Sequence, residues 1–231
     1  MAEILVAEDE TGIREGLAEL LECEGYEVRQ AADGVEALES YRRKRPDLML
    51  LDVVMPRKSG LAVCSEIRAC DKEMPILFLT ARASEADIVG GFARGADDYM
   101  AKTIPSSEKL ARVAAVLRRS QWTPSGGDSS FMFGGCLVNG VTLELETPSG
   151  RRERLTLREV EMLRCFHSHR GEVLSRDRIL NEVWGVDYLG TTRTLDQHVA
   201  NLRRKVGEVG GDSASVRTVH GIGYSYAGSS T

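Results

Sequence analysis

The sequence predicts two domains: an open, doubly wound α/β sheet of five parallel strands, then a smaller α+β domain of helices and a β-hairpin. Three observations support this prediction. Over residues 1–119, short apolar runs alternate with amphipathic helical segments, as in a parallel sheet covered by helices on both faces. A Ser-, Gly- and Pro-rich stretch at residues 120–130 indicates a flexible linker. Over residues 131–231, alternating residues precede capped helices and a Gly-x-Gly turn.

The composition is that of a globular protein. Of the 231 residues, 42% are hydrophobic and 28% are charged, and no apolar run approaches the roughly 18 residues of a membrane-spanning helix. The acidic start lacks the basic segment of a secretory signal. Five cysteines without Cys-x-x-Cys spacing indicate reduced thiols in or near the core. We therefore expect a cytoplasmic protein with no membrane partner.

One apolar stretch contains a single carboxylate. Seven apolar residues surround Asp52 between Leu48 and Met55, and Pro56 follows them. Such a run is typical of a strand buried on both faces of a parallel sheet, and it should end before Pro56, which donates no backbone hydrogen bond. Asp52 is therefore expected near the carboxyl end of a central strand, where ligands gather in open α/β sheets. A turn aspartate without chemistry is the alternative.

The other elements of the first domain follow from the same patterns. Apolar runs predict strands over residues 4–7, 26–28, 75–80 and 98–101. Apolar residues at helical spacing predict helices over residues 13–21, 34–43, 61–69, 85–94 and 108–119. Because the strands are expected to be parallel, their carboxyl ends should meet at one edge of the sheet.

At that edge the predicted strands bring together three carboxylates, a hydroxyl and an amine. These residues are Glu8, Asp9, Asp52, Thr80 and Lys102. Carboxylates this close repel one another and have raised pKa values unless a cation is present, and Mg²⁺ with retained waters suits such a site. One carboxylate could then attack a phosphoryl group to form an acyl phosphate. Mg²⁺ and an ammonium group would neutralise the phosphoryl oxygens.

The second domain begins with a hairpin pattern and continues with capped helices. Residues 131–145 alternate around Asn139-Gly140, a dipeptide typical of tight hairpin turns. Thr156 and Glu159 have capping-box spacing, and Ser175 is a second N-cap. Residues 216–226 form two β segments around a Gly-x-Gly turn. Three helices followed by a hairpin predict a winged helix-turn-helix domain.

The third helix of this domain, predicted over residues 192–206, has an apolar stripe on one side. Short, amide and guanidinium side chains are expected on the opposite face. That face consists of Arg193, Gln197, Ala200, Asn201 and Arg204. It suits the major groove of DNA, where Arg reads guanine and Asn or Gln reads adenine. An ordinary solvated helix face is the alternative.

Five separated motifs of the first domain resemble the receiver domain of two-component response regulators, which has a flavodoxin-like or CheY-like fold. They are Glu8-Asp9-Glu10, residues 52–56 with Gly60, Leu79-Thr80-Ala81, residues 95–99, and Lys102. The resemblance implies that Asp52 accepts a phosphoryl group from a cognate histidine kinase. It also implies that Glu8 and Asp9 bind Mg²⁺ with Asp52, and that Thr80 and Tyr99 form a switch pair.

Two positions depart from this family. Its members usually have a proline after the lysine, often in a cis bond, whereas this chain has Thr103. Since a cis bond to a non-proline residue costs about 3 kcal/mol, either that strain is tolerated or a trans loop aims Lys102 differently. The second departure is Val54, whose apolar side chain cannot orient a water molecule for hydrolysis. We therefore expect slow self-dephosphorylation.

A set of charged residues resembles the dimer interface of the OmpR/PhoB subfamily. The set consists of Asp98, Glu108, Arg112 and Arg119. The resemblance implies a homodimer that forms on phosphorylation, with Asp98 and Arg112 paired across the two-fold axis. A solvated charged face is the alternative, and exposed ion pairs contribute little individually.

The second domain resembles the DNA-binding domain of the same subfamily. The matching segments are residues 175–176, 183–185, 193–199, 202–205 and 217–224. The resemblance implies that promoter DNA is the partner, with the third helix in the major groove and the hairpin wing on the minor groove and backbone. Phosphate contacts are then expected from Arg193, Thr194, Arg203, Arg217, Thr218 and Tyr224. The loop over residues 185–190 would contact RNA polymerase.

The sequence therefore predicts a phosphorylation-dependent transcription regulator, with no catalytic residues of an enzyme. Two alternatives stay open. A Mg²⁺-dependent aspartyl-phosphate hydrolase also needs an Asp and a Lys, but it normally has a second acid where this chain has Val54. A phosphorylation-independent regulator would use the first domain as a dimerisation scaffold, and its only support is the departure at residues 103–104.

Overall fold

The computed structural model describes residues 1–80, 96–120, 130–185 and 192–228, and it describes the side chains of all of these except residues 118–120 and 192–194. The chain divides into two compact units, residues 1–121 and 122–231. The helix predicted over residues 85–94 and nearly all of the predicted linker lie outside the described residues. We describe each unit separately below.

The first unit contains a five-stranded parallel sheet in the order β2-β1-β3-β4-β5. Its strands are β1 (Glu3–Ala7), β2 (Glu27–Ala31), β3 (Leu48–Asp52), β4 (Ile76–Thr80) and β5 (Asp98–Ala101). Its described helices are α1 (Thr11–Cys23), α2 (Gly34–Arg43), α3 (Gly60–Cys70) and α4 (Ser106–Ser120). The fold predicted for residues 1–119 is confirmed.

The strands of this sheet are buried on both faces, as their continuous apolar runs predict. In β1, Leu5 and Ala7 belong to one apolar cluster with side chains of α2 and α3. Ile4 and Val6 point to the other face, into a cluster with side chains of α1 and α4. The alternation follows from the two-residue period of a strand, and it accounts for the doubly wound arrangement.

The loop that follows β3 approaches the strand closely. The backbone N–H of Gly60 donates to the Val53 carbonyl at 3.1 Å, and a Cβ at residue 60 would collide with the carbonyl oxygen of Asp52. Only glycine fits this approach without displacing the backbone that carries Asp52. Close packing against the Asp52 backbone therefore explains why glycine stands at position 60 of the predicted motif.

The second unit is built from two small antiparallel sheets around three helices. The first sheet contains β6 (Ser130–Phe133), β7 (Cys136–Asn139), β8 (Glu144–Glu146) and β9 (Arg152–Arg154). The helices are α5 (Leu157–Ser168), α6 (Arg176–Trp184) and α7 (Thr192–Val209), and a 3-10 turn covers Ser213–Ser215. The second sheet contains β10 (Val173–Ser175), β11 (Val216–Val219) and β12 (Gly223–Tyr226). Helices α5 to α7 with the β11–β12 hairpin confirm the predicted winged helix-turn-helix.

Both predicted helix starts in this unit are confirmed. The Thr156 side chain accepts from the backbone N–H of Glu159 at 3.3 Å, while the Glu159 carboxylate accepts from the Thr156 backbone N–H at 2.8 Å. Ser175 caps α6 by accepting from the Arg178 N–H at 3.2 Å. Strand β10 was not predicted, because three residues are too few to show an alternating pattern.

The cysteines only partly follow their prediction. Cys64, Cys136 and Cys165 are buried, but Cys23 and Cys70 are exposed, and none of these five described cysteines forms a disulfide. The prediction of core or near-core positions is therefore wrong for Cys23 and Cys70, which end α1 and α3. None of the helices within the described parts of the chain is long and apolar enough to cross a bilayer.

Replacing Gly60 with alanine should destabilise the first unit. The added Cβ would meet the Asp52 carbonyl and the Phe78 ring, and overpacking of this kind costs roughly 1–3 kcal/mol. Gly12→Ala is the matched control, since a Cβ in this first turn of α1 has nothing within 4 Å and alanine favours helix by up to about 1 kcal/mol. Urea denaturation followed by circular dichroism compares the variants. Equal midpoints would contradict the close approach at residue 60.

Candidate functional site

Three carboxylates meet at the carboxyl edge of the parallel sheet. Glu8 and Asp9 follow β1, and Asp52 is the last residue of β3. Carboxylate oxygens of all three lie within 4.8 Å of one another, with Glu8 and Asp52 buried and Asp9 exposed. Strands β1 and β3 are neighbours in the sheet, so the carboxylates at their carboxyl ends lie close together, as expected for neighbouring parallel strands.

Lys102 completes this acidic cluster from the residue after β5. Its ammonium lies 2.7 Å from Glu8 Oε1 and 3.1 Å from Asp52 Oδ2, with Glu10 Oε1 at 3.6 Å. The described chain has no cis peptide bond, so the bond to Thr103 is trans. Of the two alternatives left by the sequence, the structure therefore contains the trans loop and not the strained cis bond. This trans loop still aims the Lys102 ammonium at Asp52.

Burial and the nearby amine act on these carboxyl groups in opposite directions. Burial raises the pKa of both Glu8 and Asp52 above the ordinary range, although the hydrogen bonds from Lys102 oppose the rise. Burial opposes ionisation of the amine as well, but its hydrogen bonds to both carboxylates raise the pKa of Lys102. The ammonium is therefore kept charged beside two buried acids.

The cluster has the features of a site for a hard divalent cation. Glu8 Oε2 is buried and has no hydrogen-bond partner among the described residues, which leaves one carboxylate oxygen unsatisfied in the cluster. An unsatisfied buried carboxylate oxygen is costly, and a cation removes that cost. Oxygen ligands from few carboxylates suit Mg²⁺, so Glu8, Asp9 and Asp52 fit this ion.

The predicted switch residues lie on the next two strands. Thr80 ends β4, is buried, and its backbone carbonyl accepts from the Lys102 N–H at 2.8 Å. Tyr99, in β5, is buried with its ring centroid 5.0 Å from that of Phe78. The structure therefore already has the Tyr99 ring turned into the core.

Three of the four charged residues expected at a dimer interface form ion pairs with one another within the chain. Arg112 donates to Asp98 Oδ2 at 3.1 Å and to Glu108 Oε1 at 2.7 Å, and the side chains of Asp98 and Arg112 are 1% and 7% exposed. Within one chain Arg112 therefore binds both carboxylates, and pairing of Asp98 with Arg112 across a two-fold axis stays a prediction. The Arg119 side chain lies outside the described residues.

Helix α7 exposes part of the predicted DNA-reading face. Gln197 is half-buried, while Ala200 and Arg204 are exposed. The Arg204 guanidinium donates to the Glu208 carboxylate at 2.6 Å and to Asn201 Oδ1 at 2.8 Å. The side chains of the predicted phosphate contacts Arg193 and Thr194 lie outside the described residues.

The expectation that Asn201 faces outward is wrong. Its side chain is buried, and its amide donates to Glu159 Oε1 at 2.8 Å. Glu159 Oε2 accepts from the Lys205 ammonium at 2.7 Å, and this ammonium also donates to the Arg154 carbonyl at 2.9 Å. Asn201 and Lys205, four residues apart on one helix face, anchor α7 to the capping carboxylate of α5.

Tyr224 was expected to contact a DNA phosphate, but the structure buries its side chain. The residue is 4% exposed, and its hydroxyl donates to Asp196 Oδ1 at 2.6 Å. The guanidinium groups of Arg176 and Arg203 lie 5.2 and 5.6 Å from its ring centroid. Burial and the Asp196 carboxylate raise the pKa of Tyr224 to about 12. Tyr224 therefore fastens the wing to α7.

The wing strand β11 presents other predicted contacts. Arg217 and Thr218 are exposed, and the Thr218 hydroxyl accepts from Arg203 at 3.0 Å. Arg203 also donates to the Val216 carbonyl at 2.7 Å, so part of its guanidinium supports the wing backbone. Two residues with structural roles were not among the predicted ones: Lys205, which binds Glu159, and Arg176, which lies over the Tyr224 ring. Helical spacing could have indicated Lys205, which lies four residues after Asn201 and beside the apolar stripe.

Comparison with known families agrees with both halves of this description. Residues 4–114 match the family described as response regulator receiver domain. Residues 150–226 match the family described as transcriptional regulatory protein, C terminal. The matches therefore cover the acidic cluster of the first unit and the helix-and-wing region of the second.

Two relatives match nearly the whole length of the chain. The chain is 41% identical over 221 residues to the response regulator MprA of Mycobacterium avium, covering 96% of both chains. The MprA of Mycobacterium tuberculosis strain H37Rv is also 41% identical, with 96% of this chain and 95% of that protein covered.

Solved structures agree at the level of the fold. A mutant of RitR matches 99% of this chain and 100% of its own, with a TM-score of 0.74 at 23% identity. The receiver domain of a signal transduction histidine kinase from Syntrophus aciditrophicus matches 55% of this chain and 98% of its own, with a TM-score of 0.51 at 30% identity. The family matches and the two relatives show that the chain belongs to the response regulators of two-component systems, and that it joins a receiver domain to an OmpR/PhoB-type DNA-binding domain of transcription regulators.

Proposed function

We propose that this response regulator is switched by phosphorylation of Asp52 and that the phosphorylated form binds promoter DNA as a dimer. The observation that carries the proposal is the position of the Lys102 ammonium, 2.7 Å from Glu8 and 3.1 Å from Asp52. A carboxylate nucleophile beside a positive charge suits phosphoryl transfer, because that charge stabilises the phosphoryl oxygens in the transition state.

In the proposed reaction, a carboxylate oxygen of Asp52 attacks the phosphorus of a phosphohistidine on the cognate kinase. The new P–O bond gives an acyl phosphate, the P–N bond breaks, and the imidazole leaves. When bound, Mg²⁺ neutralises charge on the phosphoryl oxygens, and Glu8, Asp9 and Asp52 would hold it. Lys102 supplies a second positive charge, and the Thr80 hydroxyl at the end of the neighbouring strand donates to a phosphoryl oxygen.

A phosphoryl group on Asp52 would also redistribute the contacts of Lys102. The amine now bridges two carboxylates, and a dianionic phosphoryl group offers it a stronger partner. Any movement of Lys102 pulls on the segment that joins β5, which carries Tyr99, to α4, which carries Arg112. We infer that a dimer forms through this region, and the internal Arg112 pairs would have to rearrange for Asp98 to pair across the dimer.

For the DNA-binding unit, we propose that α7 enters the major groove and the wing contacts the backbone. Gln197, Ala200 and Arg204 form the outward face, since Asn201 is buried. Exposed Arg217 and Thr218 on β11 suit phosphate contacts, which position a protein without reading sequence. We also propose a cytoplasmic location and contact of residues 185–190 with RNA polymerase, as the resemblance implies.

Asp52→Asn should abolish Mg²⁺-dependent labelling by radioactive acetyl phosphate, because an amide is not a nucleophile toward phosphorus. Glu10→Gln is the matched control, since the Glu10 side chain is 65% exposed and its oxygen is 3.6 Å from the ammonium. Labelling should also raise the sedimentation coefficient and the DNA affinity. Labelling that survives Asp52→Asn would assign the phosphoacceptor to another residue, and DNA binding that ignores labelling would favour a phosphorylation-independent regulator.

The phosphorylated protein should lose its phosphoryl group slowly, over minutes or longer, because Val54 is apolar and 73% exposed at the mouth of the site. Val54→Gln should shorten the half-life, since an amide can orient an attacking water molecule. Val54→Leu is the matched apolar control and should leave the half-life unchanged. Measurement of label remaining after removal of acetyl phosphate decides the matter, and a half-life of seconds for the unaltered protein would contradict this role of residue 54.

Two classes of DNA-binding variant should behave differently. Arg204→Ala should relax base preference at one position by about 1–3 kcal/mol, whereas Arg217→Ala should weaken binding to all sequences and reduce the salt slope by about 1. Asn201→Ala should instead lower the thermal stability of the second unit, because its amide is buried against Glu159. Binding to a panel of sequences at several salt concentrations separates these effects. Identical profiles for the two arginine variants would contradict the groove assignment.

A further inference from the structure

A second cluster of metal-binding side chains lies in the DNA-binding unit, away from the acidic cluster. Cys165 is in α5, His169 directly follows that helix, and Glu182 is in α6. One potential ligand atom from each lies within 4.8 Å of the others. Cys165 and His169 are four residues apart, so both side chains project from the same face of the helix end.

The distances within this cluster match those between the ligands of one metal ion. Cys165 Sγ is 3.5 Å from Glu182 Oε2, and His169 Nδ1 is 3.6 Å from the same oxygen. In a tetrahedral zinc site, metal–ligand bonds of about 2.0–2.3 Å separate neighbouring sulfur, nitrogen and oxygen ligands by about 3.3–3.5 Å. The side chains therefore need little movement to close around an ion.

A neighbouring arginine fixes the orientation of the carboxylate. Arg178 Nε donates to Glu182 Oε1 at 3.0 Å, which leaves Oε2 directed at the cysteine and the histidine. Arg178 is itself held by Glu172 at 3.1 Å. Outer hydrogen bonds of this kind orient metal ligands and tune their affinity.

We propose that Cys165, His169 and Glu182 form a binding site for a divalent transition-metal ion of the zinc type. A thiolate, an imidazole and a carboxylate are the ligand classes that Zn²⁺ prefers, and the thiolate and carboxylate together balance its two positive charges. Hard cations such as Mg²⁺ require oxygen ligands, so the proposed site and the acidic cluster select different ions.

Binding of the ion replaces two contacts present in the structure. The Cys165 thiol gives its proton to solvent and its sulfur binds the metal. His169 Nδ1, now 2.9 Å from the Cys165 carbonyl oxygen, exchanges that contact for the metal, and the proton on Nδ1 moves through solvent to Nε2. His169 is partly exposed, with 19% of its side chain accessible, and Glu182 is more so at 37%. These two side chains leave the cluster open to solvent, which gives the ion a route in and a water molecule as its fourth ligand.

A bound ion would tie the end of α5 to α6. These two helices are the ones on which the DNA-reading helix α7 packs, within one apolar cluster that includes Phe166, Leu180 and Leu195. Metal binding to the folded form stabilises it according to ion concentration and affinity. We therefore expect Zn²⁺ to raise the thermal stability of the second unit.

Titration of the full-length protein with Co²⁺ tests the site, since a cobalt–thiolate bond gives a near-ultraviolet charge-transfer band that oxygen ligands do not. The unaltered protein should show this band at one equivalent, and Zn²⁺ should remove it. Cys165→Ser should abolish the band. His169→Gln and Glu182→Gln should weaken binding more than the roughly 10- to 100-fold typical of losing an outer hydrogen bond.

Cys23→Ser and Cys70→Ser are the matched controls, because these thiols are exposed and could bind metal nonspecifically; both variants should keep the band. If Cys165→Ser fails to fold, His169→Gln decides the test, since its partly exposed side chain follows α5 and circular dichroism reports its folding. A Zn²⁺-dependent rise in melting temperature should occur in the unaltered protein and disappear in His169→Gln. Absence of a thiolate band, or a band that depends on Cys23 or Cys70, would overturn the proposal.

Discussion

The ion pair between Lys102 and the two buried acids is the interaction on which the first unit depends. Parallel pairing of β1 with β3 forces Glu8 and Asp52 together at one edge of the sheet. Without a cation, their burial and mutual repulsion would be costly. The amine from the end of β5 offsets that cost across three strands, and the same amine is placed where a phosphoryl group would arrive. In the proposed mechanism, stability and switching therefore both depend on the Lys102 side chain.

The DNA-binding unit uses a second buried carboxylate in a comparable way. Glu159 accepts from the Thr156 backbone, from Asn201 and from Lys205, so one side chain caps α5 and holds α7. Tyr224 joins the wing to the same helix through Asp196. Because a buried charge is tolerated only when it is fully paired, these contacts fix the orientation of α7 and of the wing relative to α5.

Much of the fold could be predicted from the sequence because its patterns are local. The apolar run of β1, the apolar run before Asp52 and the capping box at Thr156 each reflect a single element. The acidic cluster was also predictable, since parallel strands bring their ends together. Asn201 could not be assigned correctly, because helical periodicity places it outward and only Glu159, 42 residues away, draws it inward. The ion pair between Asp98 and Arg112 within the chain could not be predicted either, because a resemblance to a family does not show where a charged side chain finds its partner.

The anchoring of α7 has a consequence for how regulators of this kind diverge after gene duplication. Asn201 and Lys205 are committed to Glu159, so a change at either position carries a folding cost regardless of the operator it would recognise. Ala200 and Arg204 are exposed and Gln197 is half-buried, and in the described part of the chain Glu159 bonds to none of these three, although Arg204 donates to Asn201 and Glu208 of its own helix. Under the proposed reading of DNA by α7, a duplicated copy could acquire a new set of target promoters through very few substitutions, clustered at three positions on successive turns of one helix.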